Sequence, residues 1–138
     1  MMNGELLMSG TMTTIDKVIK PQAKEVWIAK FPYEENDGRY KRRPVIVLSE
    51  INDVEVEVAE VSEESYLGVK VTSKEERECD DGDTVIIKWK EANLKKPSVA
   101  RVSKTMNIPI SQFIRRIGET DDTDFMNILQ IFFEISGL

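Results

Sequence analysis

KRRPVIVLSEINDVEVEV, residues 41–58, changes character twice, and the rest of the chain is read outward from it. The run PVIVL (44–48) is apolar without interruption, the pattern of a buried strand. VEVEV (54–58) then alternates strictly, so Val54, Val56 and Val58 share one face while Glu55 and Glu57 face water. Neither stretch has the 3.6-residue spacing of an amphipathic helix. Period 2 continues in both directions. EVWIAKF (25–31), LGVKVT (67–72), TVIIKW (84–89), SVARV (98–102) and FIRRI (113–117) read as short strands. EENDGRYK (34–41) and DDGD (80–83) supply loop and turn residues between them. Strands this short and this closely spaced predict a mainly β fold, a small barrel or compact curled sheet.

Helical spacing is convincing at the C-terminal end alone. DDTDFMNILQIFFEI (121–135) sets Phe125, Ile128, Leu129 and Phe132 on one stripe, widened by Met126, Phe133 and Ile135. Asp121, Asp122 and Asp124 fall in the first turn, where carboxylates favour the positive end of the helix dipole. So broad an apolar face has to be covered by the sheet or by another subunit. The expected organisation is a flexible lead over 1–20 and one domain over 21–138, since 138 residues suit a single core. The lead shows no basic start followed by an apolar core, so it is not read as a signal peptide.

Composition excludes whole classes of function. The chain is 41% hydrophobic and 32% charged, which does not suit a disordered or collagen-like protein. No apolar run approaches the roughly 18 residues of a membrane span, so no membrane association is expected. The chain has no histidine, which removes Ser–His and Cys–His nucleophile pairs and imidazole metal ligands. Cys79 is the one cysteine, which fits a reducing, cytoplasmic setting. The carboxylates of 80–83 lack calcium-loop spacing, and neither metal nor cofactor is assigned.

Net charge is −6, yet it is polarised along the chain. Residues 50–83 hold 13 acids against 3 bases, net −10, and residues 84–118 hold 8 bases against 1 acid, net +7. Two readings follow: a basic face for a nucleic acid, or two patches that neutralise each other once folded.

Three clusters bear chemistry. In Lys41-Arg42-Arg43-Pro44 the proline restricts Arg43 to extended backbone, and its guanidinium offers a planar fork suited to phosphate. The same bases would also serve as guards on an exposed strand edge. Thr72 and Ser73 supply adjacent hydroxyls for a phosphate oxygen or a ribose 2′-hydroxyl, or simple turn chemistry. In WKEANLKKPSVARVSK (89–104), Trp89 can stack a base or pack in a core. Lys95, Lys96 and Lys104 can follow a nucleic-acid backbone, and Arg101 can face the same site as Arg43.

EVWIAKFPY, GRYKRRPVIVLS, VTS, WKEANLKKPSVARV and IRRIG, in that order over residues 24–118, resemble the PemK/MazF-like toxins of type II toxin–antitoxin systems. The resemblance implies an SH3-like barrel, a homodimer, a cognate antitoxin, and a metal-independent, sequence-selective endoribonuclease acting on single-stranded mRNA. It also implies 2′,3′-cyclic phosphate and 5′-hydroxyl ends. By the same resemblance Arg43 matches the catalytic arginine before proline, Thr72 and Ser73 the threonine–serine pair, and Arg101 a second functional base. Lys41, Arg42, Trp89, Lys95, Lys96 and Lys104 would bind RNA.

Four departures stand beside the match. Ser103 occupies an aspartate position, Lys24 precedes EVW where glycine is usual, and Asn93 replaces the glycine of the WKEA motif. The stretch SEESYLGVKVTS is long, so the threonine–serine alignment falls either on Thr72-Ser73 or on Val61-Ser62. A rival function on the same barrel is a non-catalytic binding module, such as a gyrase poison or a phage or plasmid accessory protein.

Overall fold

The computed structural model describes residues 20–32, 38–50, 64–76 and 78–137. Among them run β1 (Glu25–Pro32), β2 (Tyr40–Glu50), β3 (Ser65–Ser73), β4 (Asp83–Ile86), β5 (Ser98–Pro109), a 3-10 turn (Ile110–Gln112), β6 (Phe113–Glu119) and helix α1 (Asp122–Ser136). The strands form one antiparallel sheet in the order β4-β5-β3-β2-β1-β6. This is the mainly β architecture with a C-terminal helix that the periodicity predicts. The expected strand over 54–58 and the alternative Val61-Ser62 alignment lie outside the described residues.

β2 shows why an unbroken apolar run marks the centre of the sheet. Ile46 and Leu48 enter one core cluster with Val26, Val69, Val71, Ala100 and Val102. Val45 and Val47 enter another on the opposite face, with Trp27, Phe31, Tyr66 and Ile108. Val45, Ile46 and Val47 are all fully buried, each burial contributing roughly 1.5–3 kcal/mol before entropy is charged against it. Irregularities at Val26/Trp27, Ile28/Ala29, Val47/Ser49 and Gly68/Lys70 bend individual strands and add twist, which curls the sheet.

Two strand boundaries differ from expectation for physical reasons. TVIIKW stops being a strand at Ile86, because the buried Asp124 carboxylate accepts hydrogen bonds from the amides of Ile87 (3.0 Å) and Lys88 (2.8 Å). Those bonds turn the chain away from the ladder. SVARV continues to Pro109 instead of ending at Val102, because Ser65–Gly68 of β3 offers Met106–Pro109 a ladder partner.

Helix α1 packs against β4 and β5, with Phe125 and Ile128 buried and Leu129, Ile131 and Phe132 against the same cluster. Asp121 is its N-cap: the side chain accepts from Thr123 N at 2.9 Å. Gly137, at φ +75°, ends it. Met126, Phe133 and Ile135 remain exposed, as does the neighbouring Ile87.

Lys24 and Asn93, the two residues expected to stand at glycine positions, both have left-handed backbone, at φ 78° and 63°. Lys24 compensates from its side chain, which binds Asp122 in α1 and lies 3.6 Å from Glu119. The hydrogen bond to Asp122 raises the Lys24 pKa and lowers that of Asp122. Glu64, just before β3, is likewise lowered, first by Lys20 and then by the Tyr66 hydroxyl.

Candidate nucleic-acid interface

Bases gather at the end of the sheet where β2 begins and β3 ends. A groove of about 600 Å³ opens there, floored by Ile28, Pro44, Val71, Ser73 and Ser98. Lys41, Arg42 and Arg43 line it from β2, Lys95 and Lys96 from the β4–β5 connection, and Arg115 and Arg116 from β6. Antiparallel pairing brings these segments together: Lys41, Arg42 and Arg43 lie opposite Phe31, Lys30 and Ala29 of β1, whose other neighbour is β6. Lys41, Arg42, Lys95 and Arg115 have no ion-pair partner among the described residues. Arg43 pairs with Glu76 at 3.6 Å, Lys96 with Glu75 at 3.3 Å, and Arg116 with Glu25 at 2.9 Å. A concave surface this rich in bases attracts polyanions, and its apolar floor suits a base or ribose.

The wall carrying Lys95 and Lys96 is tied down on several sides. Asn93 Nδ2 donates to Ile117 O at 2.8 Å, and Ala92 and Leu94 are buried. Ala92 O presses onto Gly118 so closely that a Cβ there would stand 2.3 Å away. Only glycine permits that approach, so Gly118 fixes the wall against β6. The sequence marks Asp124 only as a first-turn carboxylate and Gly118 only as the end of IRRIG; both matter through the backbone they hold.

The pleat separates Thr72 from Ser73. Adjacent strand residues point to opposite faces, so the two hydroxyls do not act side by side. Ser73 lines the groove, and its Oγ accepts from Glu76 N at 3.3 Å, folding the 74–76 turn back toward Arg43. Thr72 is buried, and its Oγ1 has no hydrogen-bond partner among the described residues. It shares a sheet face with Lys70, two residues away on β3. Lys70 lies opposite Val45 on β2 and opposite Arg101 on β5. Arg43, two residues before Val45, belongs to that same face.

Arg101 is therefore on the face expected for it, but not in the groove. It is buried, and its Nε lies 3.7 Å from Oδ1 of Asp83, its ladder partner on β4. Trp89 is half-buried against the α1 side of the core, with Lys90 Nζ 5.4 Å from its ring centroid, and Lys104 is exposed on β5. Neither lines the groove. Ser103 is exposed and donates its amide to Gly82 O at 3.0 Å, also outside the groove. Among the described residues no three carboxylates or thiols gather as a metal site requires, and no helix is long and apolar enough to cross a membrane.

Comparison with known proteins agrees with this architecture. The family model for the PemK-like, MazF-like toxin of type II toxin–antitoxin systems matches residues 22–135. Among solved structures, MazF from Deinococcus radiodurans is similar with a TM-score of 0.63 at 16% identity, over 86% of this chain and 98% of that one. A MazE–MazF complex from the same organism gives 0.60 at 15% identity, over 86% and 96%. An endoribonuclease from a mycobacterial species gives 0.58 at 12% identity, over 86% and 93%. At these identities the likeness shows the fold. No curated protein matches the sequence.

Proposed function

Because the chain belongs to the PemK-like, MazF-like toxin family of type II toxin–antitoxin systems, we propose that it is a sequence-selective endoribonuclease acting on single-stranded mRNA in the cytoplasm. The observation that carries this reading is the basic groove at the start of β2, where Arg43 stands beside cations without acidic partners among the described residues. RNA entering it exchanges released counterions for Lys41, Arg42, Lys95, Lys96 and Arg115.

The reaction is transesterification within the RNA. The ribose 2′-oxygen attacks the adjacent phosphorus in line, the bond to the 5′-oxygen breaks, and 2′,3′-cyclic phosphate and 5′-hydroxyl ends result. Arg43 stabilises charge on the non-bridging oxygens, Ser73 orients the ribose–phosphate from the floor, and Thr72 and Arg101 support that face from below. No metal is required, because a fixed guanidinium supplies the charge stabilisation. A homodimer that covers the apolar residues left exposed on and beside α1 belongs to this reading, and the family together with the MazE–MazF complex supports an antitoxin partner.

The burial of Arg101 against Asp83 and the remoteness of Ser103 favour a second reading, a non-catalytic binding module on the same barrel. One experiment separates them. Purified protein should cut mixed-sequence single-stranded RNA in EDTA, leaving 2′,3′-cyclic phosphate and 5′-hydroxyl ends. Cleavage only with added magnesium refutes the metal-independent mechanism; no cleavage under either condition moves the assignment to the binding module.

A further inference from the structure

Resting on the endoribonuclease reading, we propose that Glu76 is the general base that takes the proton from the attacking 2′-hydroxyl. The family's aspartate position is filled by Ser103, which lies outside the groove, and the chain has no histidine. The groove's other polar side chains are lysines, arginines, serines and Asn93, all poor proton acceptors at neutral pH. Glu76 is the one carboxylate that lines it among the described residues.

Its placement suits the step. Glu76 Oε2 is 3.6 Å from Arg43 Nη1, so a group touching both spans a ribose 2′-hydroxyl and the phosphate bonded to the neighbouring carbon. A reactive arrangement brings the 2′-oxygen to about 3–3.5 Å from phosphorus, which one base–arginine pair can straddle. The residue is held from behind: its amide donates to Ser73 O at 3.1 Å and to Ser73 Oγ at 3.3 Å. Its side chain is half exposed, at 51%, so substrate can reach it. Glu75, its neighbour, is turned to Lys96 and does not line the groove.

The balance closes without a co-reactant. Glu76 accepts the 2′-hydroxyl proton as the 2′-O–P bond forms. The P–O5′ bond breaks, the leaving 5′-oxygen takes a proton from water in the open groove, and Glu76 returns its proton to solvent. The charged groups around it are Lys41, Arg42 and Arg43 from β2, Lys95 and Lys96 from the β4–β5 connection, Arg115 and Arg116 from β6, and Lys74 and Glu75 in its own turn. Of these, Glu75 is the one other carboxylate, so it is the control.

The test compares wild type, Glu76→Gln, Glu76→Asp and Glu75→Gln on single-stranded RNA of mixed sequence. Binding is measured separately with a 2′-O-methyl version of the same RNA, which cannot be cut. Glu76→Gln should lose about 10²–10⁴ in kcat, the usual worth of a general base, while binding the methylated RNA as tightly as wild type or more so. Glu76→Asp should keep partial activity. The fall of rate toward acid pH should vanish in Glu76→Gln and persist in Glu75→Gln. Wild-type cleavage with Glu76→Gln within threefold of it overturns the assignment of Glu76 and leaves the nuclease reading standing. A loss in Glu76→Gln matched by lost binding or lost melting temperature also overturns the base role. Wild type that cuts no RNA overturns the nuclease reading itself, and this step with it.

Discussion

Arg43 and Arg101 are the same residue type on the same face of one sheet, yet their surroundings differ. Arg43 stands at the rim of an open groove, its side chain 17% exposed and its partner Glu76 51% exposed. Arg101 lies two strands away with 8% exposure, against an Asp83 side chain that is 1% exposed. A pair in contact with water is worth about 0–1 kcal/mol and opens readily for a phosphate. A buried pair is locked, because parting it leaves a charge in a poor solvent. The comparison teaches that a guanidinium becomes a phosphate ligand through exposure, and a structural member through burial.

The largest effect is expected where the buried pair is broken. Arg101→Ala should cost about 3–5 kcal/mol of unfolding free energy in urea titrations, since Asp83 is left without its guanidinium. Combining Arg101→Met with Asp83→Leu should recover most of that loss. A folded Arg101→Ala protein of normal stability and no activity would reverse the comparison, making Arg101 the functional base and not the structural one.

Next comes Arg43→Ala, measured by RNA cleavage and thermal melting together. Cleavage should fall about 10²–10³-fold, the scale of one lost charge-stabilising donor, while stability moves by less than about 1 kcal/mol. Retained cleavage in a well-folded variant removes Arg43 from the site.

A finer instrument is the salt dependence of RNA binding. Neutralising Lys41, Arg42 or Lys95 should each lower the slope of log K against log salt by about 0.7, with melting unchanged. Neutralising Lys104 should leave the slope alone, because it lies outside the groove. Equal effects at Lys95 and Lys104 would show that the groove does not bound the RNA path.

The smallest effect concerns pH and the α1 tether. Asp122 is depressed by Lys24, so its contribution to stability is complete above the ordinary carboxylate range and fades as pH falls through that range toward its lowered value. Lys24→Gly removes that partner and also relieves left-handed backbone. Its melting temperature should therefore depend less on pH below 5 than that of wild type, and at low pH should equal or exceed it. A steeper acid dependence in the variant would contradict the assignment.

Much of the fold was legible because it rests on period. PVIVL marked the centre of the sheet, the stripe Phe125, Ile128, Leu129 and Phe132 marked the helix, and Asp121 proved its cap. The glycine positions held by Lys24 and Asn93 were visible only through the family resemblance, and both have left-handed backbone. The site was legible by half. Lys41, Arg42, Arg43, Ser73, Lys95 and Lys96 meet in the groove, while Thr72, Arg101, Trp89 and Lys104 do not line it. Alternation along LGVKVTS already places Thr72 and Ser73 on opposite faces. The burial of Arg101 could not be read that way, because it depends on Asp83 arriving from another strand. Glu76 was hidden for a like reason: in sequence it is one acid in an acidic run, and only the turn after β3 singles it out.

The wall behind Lys95 and Lys96 has an evolutionary consequence. Its shape is fixed by Asp124 holding two amides, by Asn93 on Ile117 and by Gly118 beneath Ala92, none of which is a lysine at the groove. The exposed side chains at 95 and 96 contribute little to holding the wall, so they can be exchanged with slight effect on folding. On the nuclease reading proposed above, the phosphate contacts at those two positions can then change while the frame stays constant. A groove of this build has a place to vary that is uncoupled from the stability of the fold.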